Sequence, residues 1–205
     1  ATKSNWWDKL LKIVIAVASA VLGALGVQAM LPDLYFILKL RTLYLKEVRF
    51  INLIVIHCSA TRCDRSYTEH DLTTDHLRRG FSGAGYHYYI RRNGDIKTLR
   101  PMTQPGAHVR SHNAHSLGIC YEGGLDAHGH PADTRTDFQK HSLRVLVMLL
   151  LRDYPGSRLC GHRDLSPDLN GNGEIEPEEW IKECPCFDAA AIVREAAPPN
   201  PGCAG

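Results

Sequence analysis

Two histidines and a close pair of cysteines are the residues of this chain best suited to hold a metal ion. His57 ends the apolar run Ile54-Val55-Ile56, His162 sits in Gly161-His162-Arg163-Asp164, and Cys184 and Cys186 lie in the segment 182–188. Imidazole nitrogen and thiolate sulfur are donors that zinc favours, and three protein donors leave a fourth tetrahedral position for water. A closed set of four would be structural, whereas an open set of three can activate that water and polarise a carbonyl. The chemistry expected from these residues is metal-assisted hydrolysis.

Elements must bring those distant residues together. The β-branched run 51–57 reads as a buried strand that delivers His57 at its C-terminal end. Thr68 with an acid three residues later caps a helix that stops at Gly80. Residues 86–90 form a strand, Arg92-Asn93-Gly94-Asp95 a hairpin turn, and 96–99 its partner, while 116–124 is a further strand. Apolar residues at Phe138, Leu143, Leu146, Val147, Leu150 and Leu151 predict a long amphipathic helix over 136–153, halted before Pro155. The fold class is α/β: a mixed central sheet flanked by helices, with the site at one edge of the sheet and a hydrophobic N-terminal helix ahead of it.

Five segments taken in order carry a resemblance: IVIHCSATR (54–62), GYHYYIRRNGDI (85–96), GAHVRSHNAHSLGICYEGG (106–124), GHRD (161–164) and KECPCFD (182–188). Together they resemble the zinc-dependent N-acetylmuramoyl-L-alanine amidases of the phage-lysozyme and peptidoglycan-recognition type, over roughly residues 51–188. The resemblance implies His57, His162 and Cys184 as zinc ligands, Cys184 being the cysteine that fits the family's Lys-x-Cys-Pro-x-Phe-Asp pattern. It puts the Tyr86 phenol beside the metal-bound water and Lys182 near the developing oxyanion. It places His87, His108 and Asn113 in segments that line the family's groove, as supporting or substrate-binding residues. The implied substrate is the amide between N-acetylmuramic acid and L-alanine of peptidoglycan. His112, His115, His128, His130 and His141 read as surface residues.

Composition narrows the remaining choices. Twenty-four Lys and Arg against 22 Asp and Glu, net +2 over 205 residues, lack the basic excess of a nucleic-acid binder. A monomer acting on peptidoglycan, with no nucleic-acid partner, is the expectation. Seven cysteines cannot all pair, so at least one stays free. The run 13–31 holds no charge and comes after Lys3, Lys9 and Lys12, with Trp6 and Trp7 suited to a membrane interface. It reads as a membrane anchor or, with Val27-Gln28-Ala29 as a cleavage site, as a signal segment. Either exports the downstream domain into the cell envelope. The expected division is 1–30 anchor or signal, 31–50 linker or separable peptide, 51–190 catalytic domain and 191–205 flexible tail.

Between the last two motifs lies a loop with its own pattern. Asp168, Asn170, Asn172, Gly173, Glu174, Glu176 and Glu179 fall at positions 1, 3, 5, 6, 7, 9 and 12 of a calcium loop of the EF-hand type. Pro167 forbids a regular entering helix, so a plain acidic turn is the rival reading. Bound calcium would pin the segment that carries Lys182 and Cys184. Two other functions compete with hydrolysis: a peptidoglycan-binding module that does not cut, which Cys184 argues against, and a membrane-anchored calcium adaptor, which leaves His57 and His162 unexplained.

Overall fold

The computed structural model describes residues 49–194. In chain order its elements are β1 (Leu53–Cys58), β2 (Thr61–Arg62), α1 (Glu69–Arg78), β3 (Tyr88–Ile90), β4 (Ile96–Thr98), β5 (Ser116–Tyr121), β6 (Gly124–Leu125), α2 (Asp137–Asp153), β7 (Arg158–Gly161) and α3 (Ala191–Arg194). Short 3₁₀ turns stand at Asn113–His115, Arg163–Leu165 and Pro177–Glu179. The strands form a five-stranded sheet in the order β4-β3-β5-β1-β7 and a separate β2-β6 pair. All neighbours in the large sheet run parallel except the edge hairpin of β3 with β4.

Every residue of β1 and of β5 is buried, as expected for parallel strands covered on both faces. Alternation along β1 sorts its side chains. Ile54, Ile56 and Cys58 join the core beneath α2, with Leu117, Ile119, Leu143, Leu146, Val147 and Leu150. Leu53 and Val55 point to the opposite face, and the period of two sends His57 there as well. On that face α1 covers Tyr89 and Cys120 with Leu72.

Both helices begin as their sequences imply. Thr68 accepts from the Asp71 N–H while the Asp71 carboxylate accepts from Thr68, and Thr136 and Gln139 repeat the arrangement at α2. Phe138, expected on the inner face of α2, is 69% exposed. Gln139 takes the inward place because its amide donates to the backbone carbonyls of Ile90 and Glu122. Those carbonyls sit at the ends of β3 and β5, where a buried acceptor without a donor is costly.

Three short strands escaped the sequence reading. β7 is too short to show periodicity but pairs with β1 from Leu53↔Arg158 to Ile56↔Gly161, and so delivers His162 beside His57. The β2-β6 pair is only two residues long on each side. Arg49, placed by the sequence in a linker, spreads its guanidinium over the carbonyls of Met102, Gln104, Asn113, Ala114 and Ser116. Ile192 of α3 packs in the core, so the folded unit runs past residue 190. The apolar run 13–31 and the tail beyond 194 lie outside the described residues; among those described, no helix is long and apolar enough to cross a membrane.

Candidate metal centre

Parallel pairing sets the first two donors side by side. His57 is the last residue but one of the wholly buried β1, and the His162 N–H donates to the Ile56 carbonyl directly after β7. Their rings stand 4.7 Å apart. The third donor arrives on the 182–188 segment, which is seated by the Arg163 N–H on the Cys184 carbonyl at 2.8 Å and by the Tyr121 hydroxyl on the Pro185 carbonyl at 2.7 Å. Gly161 is required at that seat, since a Cβ there would come within 2.5 Å of the Pro185 ring. Asp164 holds the turn by accepting the Gly161 N–H.

Among the described residues, His57, His162 and Cys184 form a group whose ligand atoms all lie within 4.8 Å of one another. The Cys184 Sγ is 3.8 Å from His57 Nδ1. A tetrahedral ion with Zn–N near 2.0 Å and Zn–S near 2.3 Å has an N···S edge of about 3.5 Å, so the donors need only a small contraction. His57 is wholly buried while His162 and Cys184 are half-exposed, which leaves a solvent side for a fourth ligand. The residues therefore fit zinc in both donor type and spacing.

The surroundings keep these imidazoles neutral, as metal binding requires. Burial, and then repulsion from His108, His162 and Lys182, holds His57 well below its ordinary pKa. Burial and Lys182 lower His162 to about 4. His108 supports His57 directly: its Nδ1 lies 3.0 Å from His57 Nε2 and its Nε2 3.3 Å from the Ser116 hydroxyl. If His57 Nε2–H donates along this line, its Nδ1 lone pair is free to face Cys184. Gly106 and Gly118 make room for the His108 ring, which a Cβ at either site would meet within 2.4–2.8 Å.

Tyr86 stands against this group with its ring 5.0 Å from that of His57. Burial first, then the nearby thiols of Cys120, Cys184 and Cys58, push its phenol well above the usual range, so it remains a hydrogen-bond donor at neutral pH. Lys182 is exposed, yet close enough for its charge to depress both ligand histidines.

The three residues expected as supporting or substrate-binding groups hold hydrogen bonds within the protein. His87 is fully buried, accepting the Gly118 N–H at Nδ1 and facing the Gln104 carbonyl with Nε2. His108 is occupied as described. Asn113 accepts the N–H groups of His108 and Val109 and so shapes the turn that holds His108. Sequence reasoning gave no role to His76, whose Nδ1 accepts the Gly85 N–H immediately before Tyr86. Only its helical spacing from Leu72 hinted that it faced inward.

Buried neutral histidines also give an acid limit. His76 and His87 are each lowered to about 4, chiefly by burial. A depressed folded value means that the unfolded chain binds the proton more readily, so their contribution is complete above about 6.5 and is lost as pH falls toward 4. Unfolding free energy should drop by up to about 1.4 kcal/mol per pH unit for each group. Denaturant titrations across this window check it: the His76→Gln variant should show a shallower fall than wild type, and equal slopes would refute the assignment.

In the loop of the calcium pattern, Asp168 accepts the Gly171 and Gly173 N–H groups, Asn170 that of Asn172, and Asn172 that of Glu174. Glu179 accepts from Leu169, Asn170 and Glu176, and the Ser166 hydroxyl accepts the Ile181 N–H. Arg163 lies over the Trp180 ring, 4.0 Å from its centre. The loop is thus tied at both ends to the His162 turn.

Comparison with known proteins places the chain's family and fold. A family profile described as N-acetylmuramoyl-L-alanine amidase matches residues 47–179, a span that ends before Lys182 and Cys184. A second, a family of unknown function, matches residues 1–31. An uncharacterized protein of Haemophilus influenzae is 49% identical over 96 residues, covering 47% of this chain and 83% of that one. The endolysin of Klebsiella phage KP32 is 34% identical over 135 residues, covering 66% of this chain and 80% of its own. Among solved structures, the N-acetylmuramoyl-L-alanine amidase LysC from Clostridium intestinale superposes with a TM-score of 0.56 at 27% identity, over 73% of this chain and 87% of that one.

Proposed function

This chain belongs to the N-acetylmuramoyl-L-alanine amidase family, and from that premise we propose that it hydrolyses the amide between N-acetylmuramic acid and L-alanine of peptidoglycan, with zinc as its metal. The observation that carries the proposal is the convergence of His57, His162 and Cys184 within 4.8 Å, open on one side, with Tyr86 packed against them. Endolysins of phages are among its relatives, which supports action on the cell wall.

His57 Nδ1, His162 and Cys184 Sγ would hold the zinc, which when bound supplies a water of lowered pKa and polarises a carbonyl. The chain's own groups do the rest. His108 keeps the His57 ring turned to the metal side and takes part of any charge gained there. The Tyr86 phenol, kept protonated by burial, donates a hydrogen bond to the carbonyl oxygen as negative charge grows on it. The Lys182 ammonium at the exposed rim adds a positive charge to the same oxygen and a proton source for the departing amine of L-alanine.

The test is release of stem peptide from purified peptidoglycan. New L-alanine amino termini should appear, vanish with a chelator and return with zinc. Binding without any release, zinc being supplied, would favour a recognition module instead.

Two finer readings rest on the sequence. The uncharged run 13–31 supports an anchored or exported protein. The pattern from Asp168 to Glu179 supports calcium as a brace for the Lys182 and Cys184 segment. Calcium at a hundredfold excess over its Kd stabilises a protein by about 2.7 kcal/mol, so Tm should rise by several degrees. Asp168→Ala should abolish that rise, and an unchanged Tm in the wild type would reduce the loop to a hydrogen-bonded turn.

A further inference from the structure

Beside the metal ligands lies a second pair of sulfurs that the hydrolytic chemistry does not use. Cys58 follows His57 directly, and Cys186 lies two residues past Cys184; their Sγ atoms are 3.9 Å apart and both are free thiols. Opposite alternation on β1 separates the roles, since His57 turns toward the metal while Cys58 turns under α2 toward Cys186. Cys58 is buried and Cys186 half-buried. The Cys186 Sγ lies 3.3 Å from the Gly124 carbonyl, and a Cβ on Gly124 would sit 2.5 Å from both Cβ and Sγ of Cys58. Only glycine at 124, at φ +98°, leaves the two sulfurs facing each other.

We infer that Cys58 and Cys186 are a disulfide-forming pair, oxidised when the protein meets a disulfide oxidant, and that the bond clamps together the two chain segments that carry His57 and Cys184. Half-buried Cys186 is the sulfur an oxidant meets first. Its thiolate attacks one sulfur of oxidised glutathione, breaking that S–S bond and releasing one glutathione thiolate. Cys58 then attacks the Cys186 sulfur of the mixed disulfide and expels the second glutathione; the two protein thiol protons end on the two glutathione thiols. Cys184, engaged by the metal, takes no part. The pairing needs the two sulfurs to approach from 3.9 Å to about 2.05 Å, a movement within reach of side-chain rotation and a small loop shift.

The experiment uses the full, zinc-loaded chain, reduced and then exposed to oxidised glutathione, alkylated, digested and mapped by mass spectrometry. A linked peptide joining Cys58 to Cys186 is expected, with Cys184 alkylated only after zinc is removed. Closing so long a loop should raise Tm by roughly 5–10 °C relative to the reduced protein. Transfer of zinc to a chelator should slow by about tenfold, the lower range for supports of metal ligands. Cys186→Gly is the control: residue 186 has φ +69°, which glycine adopts freely, so the variant should fold yet show neither shift. Alkylation of both Cys58 and Cys186 after oxidation, or a link from either to Cys184, would overturn the inference. Neither mapping nor melting depends on peptidoglycan, so a chain that forms this bond but releases no stem peptide sinks the hydrolytic reading alone.

Discussion

Cys184→Ala is expected to lower stem-peptide release by about 10³-fold or more and to leave the purified chain without tightly bound zinc. The magnitude comes from the several kcal/mol that a metal supplies to a developing negative charge, at about 1.36 kcal/mol for each factor of ten. Two imidazoles alone, with no third donor in the group, cannot hold the ion against a chelator. The fold should survive, because Cys184 is half-exposed at the edge of the core and its neighbours are seated by backbone carbonyls of Cys184 and Pro185 that alanine retains. Metal content measured beside activity and melting temperature separates the outcomes. A variant that keeps a full equivalent of zinc and wild-type release would show that Cys184 is no ligand and would reopen the case for Cys186.

Tyr86→Phe should cost about 10²–10³ in kcat while zinc content and peptidoglycan binding hold, since removing one donor from a charge-stabilising site typically costs that much. The ring remains, so its packing on His57 and His76 is preserved and the loss reads on the hydroxyl alone. Burial keeps the phenol protonated far into the alkaline range, so its donor function should not generate an alkaline fall in rate. A variant with unchanged kcat and raised KM would instead make Tyr86 a binding residue. Lys182→Met tests the partner role, with the smaller loss expected because an exposed ammonium is screened by solvent.

Much of this was legible in the chain itself. The β-branched run before His57, the Thr68 and Thr136 caps, and the Asn93-Gly94 turn are local signals whose physics operates within a few residues. α1, α2, β1 and the β3-β4 hairpin accordingly stand where those signals put them. β7 was invisible because four residues carry no period, and only its pairing with β1 makes Arg158–Gly161 a strand. Phe138 and Gln139 exchanged places for a similar reason. Hydropathy favours the phenylalanine inside, but two strand-end carbonyls from distant parts of the chain needed the amide.

By itself the sequence determined the family, through the resemblance carried by five ordered segments, and the helices and strands with strong local patterns, because short-range periodicity is written along the chain. Tertiary structure alone decided which of these groups converge and which are held by the scaffold. His87, His108 and Asn113 occupy segments associated with the groove, yet their polar atoms are taken by Gly118, His57, Ser116 and the 108–109 backbone. The same holds for Arg49, for His76 behind Tyr86, and for Cys58 opposite Cys186. Each of these roles depends on a partner tens of residues away or on which face of a strand a side chain leaves by, and a buried polar atom takes the partner that packing brings to it.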